Sequence, residues 1–348
     1  MREPKAASRW IGALVAGAAA GALCAWLRTP IPWMLGPLVA IAALRVAGAA
    51  VEAPQLARYA GQWIIGTSLA LYFAPVVVRQ VASGWWMLVA GAAFSIVVGY
   101  VAALVLARLA RIDLTTAIFA SVPGGATEMS NLGDRFGARA DRIAAAQSLR
   151  ILMVVAIVPA AFALLDLHGS DAYEAGARGF DARGFALLMA LTLAGGFAMQ
   201  ALRVPNAFIL GPLAVGIPLT AAGVDLSTVP TVVSNTGQYL LGCALGSRFE
   251  RDILEGAHRF VAGVVASVLL SIALTASFGV ALALLSGVPA PTLVLATAPG
   301  GIAEMGITAK VLKLGVPLVT AFHVTRVVVL LLLTAPLFAW LRSRWRWK

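Results

Sequence analysis

The sequence predicts an all-α fold, a polytopic transmembrane helical bundle of two inverted repeats, each with about five spans and a broken or re-entrant Pro-Gly-Gly segment. Of the 348 residues, 61% are hydrophobic and only 12% are charged, which is too apolar for a water-soluble globule of this size. The segment Ser-Val-Pro-Gly-Gly-Ala-Thr-Glu-Met at 121–129 returns as Thr-Ala-Pro-Gly-Gly-Ile-Ala-Glu-Met at 297–305. These observations predict a duplicated membrane protein, and the distribution of charges predicts its topology.

The repeat extends along most of the chain. We call the distance in sequence between positions 121 and 297 the repeat spacing. Other identical residues are separated by the same distance, namely Gly61 and Gly237, Gln62 and Gln238, Gly66 and Gly242, Glu128 and Glu304, and Arg150 and Arg326. Compositional bias can align apolar residues by chance, but it does not align Pro, Gly, Gln, Glu and Arg in one register. We therefore predict a first transmembrane repeat at 1–167, an acidic external linker at 168–183, and a second transmembrane repeat at 184–348 with a basic cytoplasmic tail.

Ten apolar runs approach the length of about 20 residues that a helix needs to cross a membrane. They lie near 10–27, 33–50, 60–78, 85–107 and 149–167 in the first repeat, and near 184–202, 206–223, 232–247, 260–285 and 316–341 in the second. Five spans per repeat is an odd number, so the second repeat must be inverted relative to the first.

The basic residues support this topology, because cytoplasmic loops of membrane proteins carry an excess of Lys and Arg. With the N-terminus inside, the arginines predicted to lie inside are Arg45, Arg58, Arg108, Arg111, Arg135, Arg139, Arg142, Arg203, Arg248, Arg251 and Arg259. The basic residues predicted to lie outside are Arg28, Arg79, Arg178, Arg183, Lys310 and Lys313. The acidic residues Asp166, Asp171, Glu174 and Asp181 are predicted to lie on the same side. The expected location is a bacterial inner (cytoplasmic) membrane, with several passes and both termini in the cytoplasm.

Each Pro-Gly-Gly segment is predicted to interrupt a helix, because proline lacks an amide donor and glycine adopts backbone angles that other residues resist. In a membrane, the exposed backbone groups are tolerated only where protein or water surrounds them. Transporters use equivalent breaks from two repeats to bind a solute. The predicted solute-binding residues are Pro123, Gly124, Gly125, Glu128, Pro299, Gly300, Gly301 and Glu304. Two purely structural kinks are the alternative.

The glutamates and arginines near these breaks are candidates for gating or proton coupling. Glu128 and Glu304 each follow a glycine pair by three residues, and a carboxylate in an apolar setting is costly unless it is paired or protonated. Capping the second half-helix is the alternative role. Arg150 and Arg326 follow these glutamates at equal separations in the two repeats. We expect the ion pairs Glu128–Arg150 and Glu304–Arg326, which would serve either a gate or assembly.

Two further polar pairs accompany this set. Gln147 and His323 each precede the arginine by three residues and so share its helix face. They are candidates for gating or proton coupling, since imidazole titrates near neutral pH, although a hydrogen-bonded core histidine is the alternative. Gln62 and Gln238 could line a cavity or form hydrogen bonds between helices.

The sequence argues against an enzyme. Its three His and two Cys show no metal-ligand spacing, and no phosphate-binding glycine loop is followed by Lys. We expect no catalytic residue, metal or cofactor. The net charge of +11 is spread over span ends, so we expect no direct contact with nucleic acid. The expected partners are a small solute and the lipid bilayer, whose anionic headgroups would contact Arg342, Arg344, Arg346 and Lys348. Homo-oligomerisation is left open.

The segment Pro-Trp-Met-Leu-Gly-Pro at 32–37, the two Pro-Gly-Gly segments and the paired Gly-Gln spans resemble the membrane AbrB-duplication family over essentially the whole chain. That family is similar in plan to the cation:proton antiporter and anion transporter superfamily, in which broken helices of inverted repeats cross near the substrate. The resemblance implies that the two Pro-Gly-Gly segments are these breaks, with Glu128 and Glu304 beside them.

Two labels attached to this family imply other functions. Some members are labelled ammonia monooxygenases, but that reaction requires a redox metal that the residues here do not readily bind. Some bacterial members are associated with regulation of gene expression. Their name is shared with an unrelated soluble DNA-binding regulator, and this sequence contains no soluble DNA-binding domain.

The predicted function is secondary transport of a small polar or ionic solute, with coupling to protons through one glutamate. The solute would lie between the two breaks while one helix bundle moves against the other. The alternative is a membrane-embedded sensor or regulator that acts indirectly on gene expression through the loop 130–142 and the tail after Trp340. The charge of the solute is left open, because half-helix amides and arginines favour anions whereas glutamates favour cations.

Overall fold

The computed structural model describes residues 3–169, 179–249 and 258–344. The first half contains α1 (Glu3–Trp26), α2 (Pro32–Val46), α3 (Gln55–Ala70), α4 (Pro75–Ser83), α5 (Trp85–Ala110), α6 (Leu114–Ser121), α7 (Ala126–Arg135) and α8 (Ala140–Leu164). The second half contains α9 (Ala182–Ala201), α10 (Ala207–Ala221), α11 (Thr231–Gly246), α12 (His258–Ser286), α13 (Ala290–Thr297), α14 (Ile302–Leu312) and α15 (Val316–Arg344). The described residues contain no β-strand, and the predicted all-α membrane bundle is confirmed.

The repeat in the sequence is also a repeat of helices. In the first half, α3, α6, α7 and α8 each begin one repeat spacing before α11, α13, α14 and α15, respectively. The pairs α1–α2 and α9–α10 open the two halves in the same order. The stretch that corresponds to most of α4 falls at 250–257, outside the described residues.

The helices pack into two bundles. The first bundle combines α1–α3 with α9–α11, and the second combines α5–α8 with α12–α15. Glycine permits a close helix crossing at the centre of the first bundle, where a β-carbon on Gly61 would lie 2.8 Å from the carbonyl oxygen of its counterpart Gly237. The second bundle contains both broken helices.

The corresponding helices α3 and α11 run in opposite directions. Arg58 near the start of α3 and Leu245 near the end of α11 line the same cavity. At the other end of this helix pair, Ser68 of α3 and Ser234 of α11 accept hydrogen bonds from the same Lys310 ammonium, at 2.7 and 3.4 Å. The helices α3 and α11 are therefore antiparallel, which is the relation that an inverted duplication requires.

Six described helices are long and apolar enough to cross a membrane, namely α1, α5, α8, α9, α12 and α15. The other predicted spans correspond to α2, α3, α10 and α11, which have only 15 or 16 residues. The prediction of one continuous span at 60–78 is wrong, because α3 ends at Ala70 and α4 begins at Pro75 after a bend of 92°. Proline starts a helix readily but cannot continue the hydrogen bonding of a preceding one.

Basic segments that were predicted to share one side of the membrane meet at one end of the molecule. The Nε atom of Arg45 donates to the carbonyl oxygen of Phe249 at 3.0 Å, and Arg342 donates to the carbonyl oxygen of Phe136 at 3.4 Å. We refer to this end as the basic end, and its cytoplasmic orientation stays a prediction. The predicted residues that lie outside the described ranges are Asp171, Glu174, Arg178, Arg251, Arg346 and Lys348.

Candidate solute-binding site

Both Pro-Gly-Gly segments break a helix, as predicted. In the first half α6 gives way to α7 across 122–125, and in the second half α13 gives way to α14 across 298–301. The backbone is extended at the last residue of each break, with φ and ψ of −69° and 142° at Gly125 and of −91° and 167° at Gly301. Each break therefore frees carbonyl groups at the end of one half-helix and amide groups at the start of the next.

In the first half, two buried side chains bind the freed carbonyl groups. Arg150 donates to the carbonyl oxygens of Val122 and Gly124, each at 3.2 Å. The amide nitrogen of Gln147 also donates to Val122, at 2.9 Å, and to the carbonyl oxygen of Phe119 at 2.9 Å. The carbonyl group of Val122 thus has two donors.

The second half repeats this arrangement with one difference. Arg326 donates to the carbonyl oxygen of Ala298 at 2.7 Å and to that of Gly300. The Nε2 atom of His323 lies 3.3 Å from the carbonyl oxygen of Leu295, which corresponds to Phe119. The described residues provide Ala298 with no second side-chain donor, so its hydrogen bond depends on Arg326 alone.

The expected ion pairs Glu128–Arg150 and Glu304–Arg326 are not among the ion pairs of the described residues, and that prediction is corrected. The guanidinium groups instead neutralise the backbone dipoles that the helix breaks release. A buried arginine needs acceptors, and unpaired backbone carbonyl groups meet that need as a carboxylate would.

The glutamates lie directly over the glycines of the breaks. A β-carbon at Gly125 would collide with the carboxylate of Glu128, and one at Gly301 would collide with that of Glu304. Glu304 is only 7% exposed, whereas Glu128 is half-buried. The two glycines are the N-cap residues of α7 and α14 and supply no capping side chain. Each carboxylate is thus placed at the positive end of a half-helix.

A cavity of about 90 Å³ lies where the two breaks approach each other between the bundles. Its polar and charged wall residues are Arg58, Gln62, Asn206 and Arg248, together with Glu128, Glu304, Arg150 and Arg326 at the breaks. Glycine backbone from both breaks also contributes to the wall. A single water needs about 10–15 Å³ measured in this way, so the cavity holds several waters or a small solute.

Most of the predicted site residues border this cavity, and a few do not. Pro123 lies on its wall, whereas Pro299 borders a smaller adjacent void that Pro123 shares. Gln62 lies on the wall, and its Nε2 atom is 3.5 Å from Oδ1 of Asn206. Gln238 is not a wall residue and bonds Asn235 at 3.4 Å. Gln147 and His323 lie behind the breaks, where they bind carbonyl groups.

Sequence reasoning missed three wall residues, Arg58, Arg248 and Asn206. Both arginines were assigned to loops and used only for orientation. Both arginines lie within a few residues of the spans that contain the Gly-Gln pairs, and Gln62 and Gln238 were predicted to line a cavity. This closeness in sequence could have indicated that the arginines line the same cavity. The described residues contain no cluster of three or more His, Cys, Asp or Glu that could hold a metal ion.

Comparison with known sequences assigns the family. Residues 33–342 match a family described as transition state regulatory protein AbrB. The chain belongs to the AbrB family. The matched region of this AbrB-family protein includes both helix breaks, both glutamates and all four arginines of the cavity wall.

Two relatives match nearly the whole AbrB-family chain. One is a Bacillus subtilis (strain 168) protein named as uncharacterized, YhjN, which is 27% identical over 347 residues, covering 92% of this chain and 90% of the relative. The other is an Escherichia coli (strain K12) protein named as a candidate regulator, AbrB, which is 24% identical over 312 residues, covering 89% of each chain.

Proposed function

We propose that this AbrB-family protein is a secondary transporter of a small polar or ionic solute and has no enzymatic activity. The observation that carries this proposal is a polar cavity to which both helix breaks contribute. Breaks of this kind, one from each inverted repeat, bind solutes in several transporter folds. The cavity also lies between two bundles, so a relative movement of the bundles would change its access.

The proposed mechanism couples the solute to a proton at one of the two glutamates. Glu304 is the stronger candidate, because its carboxyl group is buried and forms no ion pair within the described part of the chain. A buried carboxyl group of this kind is stabilised when it binds a proton. Solute entry and proton exchange would therefore occur at the same place, next to the start of α14.

Transport by protein reconstituted into liposomes tests this proposal. Ammonium, amino acids and small carboxylates are screened for flux in the presence of a pH gradient, with Glu304→Gln and Glu128→Gln as variants. The exposed Glu52→Gln is the matched control. We expect flux of one solute class in the wild type and in Glu52→Gln, with an altered pH dependence in one of the break variants. Unchanged pH dependence in both break variants would eliminate the proton role.

A membrane-embedded regulator is the second candidate, favoured by the name of the Escherichia coli relative. The loop and the tail that such a regulator would use are in contact, since Arg342 donates to the carbonyl oxygen of Phe136 at 3.4 Å. Deleting 343–348 separates the two candidates. A regulator would lose its effect on gene expression, whereas a transporter would keep its flux per folded molecule.

A further inference from the structure

The cavity wall carries more positive than negative charge. Four arginines and two glutamates face it, which gives a formal charge of +2. Arg150 and Arg326 are engaged by the carbonyl groups of the breaks, but Arg58 and Arg248 form no ion pair within the described residues. The charge of Arg248 interacts with those of Arg58, Glu128 and Glu304, so these groups share one electrostatic environment. Two guanidinium groups are thus available to a ligand.

Backbone groups add to this positive potential. The first residues of α7 and α14 line the cavity, and these half-helices have 10 and 11 residues. Their N-terminal amide groups lack a backbone partner within the helix and favour an anion, and the carboxylates of Glu128 and Glu304 lie at these helix starts in this structure. The buried, ion-pair-free carboxyl group of Glu304 points into the same space. A proton on this group would remove one negative charge and supply a further donor.

We propose that the cavity binds a small oxyanion, such as a short carboxylate, and that Arg58 and Arg248 hold it against the amides of the two half-helices. This inference rests on the proposed transport function and specifies its substrate class. The planar guanidinium fork matches the geometry of a carboxylate or of two oxygens of a tetrahedral oxyanion. A cavity of about 90 Å³ limits the bound part to a few heavy atoms.

Titration calorimetry on the detergent-purified protein tests the site without requiring transport. The probes are acetate, succinate, phosphate and sulfate, with ammonium and glycerol as cationic and neutral comparisons. The variants are Arg58→Gln and Arg248→Gln, with Arg248→Lys to retain charge and the exposed Arg108→Gln as the matched control. We expect at least one anion to bind, about 10-fold or more weaker binding in each glutamine variant, partial retention in Arg248→Lys, and no change in Arg108→Gln.

The possible outcomes separate the two proposals. The absence of anion binding by folded wild-type protein, or binding that both glutamine variants retain, would overturn the oxyanion site. Ammonium binding that Glu304→Gln abolishes would also overturn it. Anion binding without flux in liposomes would retain the site and reject transport. Flux of a cation or neutral solute without anion binding would reject the site and retain transport.

A separate observation concerns the end of the molecule opposite the basic end. There Lys310 of α14 donates to Ser68 and Ser234 of the first bundle. A β-carbon on Gly306 of α14 would lie 2.5 Å from the side chain of Leu69 on α3, so these helices touch closely. The two bundles are therefore in direct contact on this side of the cavity.

The equivalent contact at the basic end is not made. At the repeat spacing, Lys310 corresponds to Asp134 of α7, and Ser234 corresponds to Arg58 of α3. Leu245, the counterpart of Leu69, lines the cavity instead of packing on α7. Asp134 is exposed and forms no ion pair within the described residues. The two repeats thus differ here in structure as well as in sequence, since α14 packs on α3 whereas α7 does not make the corresponding contact with α11 among the described residues.

We infer that Asp134 and Arg58 form the second gate, an ion pair that closes the basic end when the Lys310 contact opens. The closed state of this gate would result if the two inverted repeats exchanged their conformations. In that state α7 would pack against α11 in the way that α14 packs against α3 in the present structure. Arg58 would then move from the ligand to Asp134, or bind both.

Cross-linking of paired cysteines tests the gate in protein whose Cys24 and Cys243 have been replaced by Ser and Ala. The pair Lys310→Cys with Ser68→Cys reports the present state. The pair Ser130→Cys with Leu245→Cys, the counterparts of Gly306 and Leu69, reports the other and leaves Asp134 and Arg58 in place. Ser130→Cys with Val232→Cys is the control, since Val232 lies at the far end of α11. A short bismaleimide is added in liposomes, and products are identified by mass spectrometry.

We expect both reporting pairs to cross-link and the control pair to remain unlinked. Absence of the Ser130–Leu245 product from folded protein, or equal yield from the control pair, would overturn the gate. This readout requires no solute, so its failure is distinct from failure of the oxyanion site.

Discussion

The two buried arginines should differ in how much they stabilise the fold, although they occupy equivalent positions. Replacing Arg326 by Met leaves two buried carbonyl groups, of Ala298 and Gly300, without their side-chain donor. Replacing Arg150 by Met leaves only the partly buried carbonyl group of Gly124 without its side-chain donor, because Gln147 still donates to Val122. Each buried acceptor that loses its partner costs about 1–3 kcal/mol. The free energy of unfolding should therefore fall by about 1–3 kcal/mol more in Arg326→Met than in Arg150→Met.

The comparison removes the contributions that are hardest to calculate. Both substitutions delete one buried charge and retain a similar apolar volume, so the desolvation and packing contributions largely cancel in the difference. The assay is unfolding in mixed micelles, followed by circular dichroism. Adding His323→Gln to Arg326→Met should recover part of the loss, since glutamine can then donate to Ala298 as Gln147 does to Val122. An equal or greater loss in Arg150→Met, or no recovery in the double variant, would refute this reasoning.

Two further predictions rest on close contacts in the structure, and a third concerns the C-terminal tail. Gly301→Ala should abolish or strongly reduce flux while the protein remains folded, because the new methyl group takes the space of the Glu304 carboxylate; size-exclusion chromatography and liposome flux check this. Gly61→Ala should lower the free energy of unfolding by about 1–3 kcal/mol by overpacking the α3–α11 crossing, whereas Gly12→Ala, with only a 3.4 Å neighbour, should not. Deleting 343–348 should leave flux per molecule unchanged, and a loss of flux with intact folding would contradict the assignment of the tail to membrane anchoring.

The parts of the structure that follow from local chemistry could be predicted from the sequence. The Pro-Gly-Gly breaks are an example, since the missing amide of proline and the conformational freedom of glycine act on their own segment. The burial of Arg326 also followed, because an apolar run surrounds it. Its partner did not, because a carboxylate and a freed carbonyl group satisfy a guanidinium equally well in principle. The choice between them depends on how the half-helices are angled, and no residue pattern specifies that.

The cavity wall was only partly predictable for a related reason. Arg58 and Arg248 have two roles in the structure, at the basic end and on the wall, and charge counting recognises only the first. The bend between α3 and α4 was missed because hydropathy averages over Pro75 and ignores its effect on helix direction. Lys310 was assigned to an external loop, and its contact with two serines of the other bundle depends on packing between helices that are distant in sequence.

The contact between Gly61 and Gly237 has a consequence for how such a chain could arise. Gly61 and its counterpart Gly237 are the same residue type, so their contact does not depend on any difference between the two repeats. Two copies of a half-length chain, inserted in opposite orientations, could therefore form this crossing without any change of sequence. Asp134 and Lys310 are different, since each occupies the same position in its repeat with the opposite charge. The helix crossing is compatible with an ancestral homodimer of half-length chains, whereas the opposite charges of Asp134 and Lys310 require that the two halves have diverged at this position.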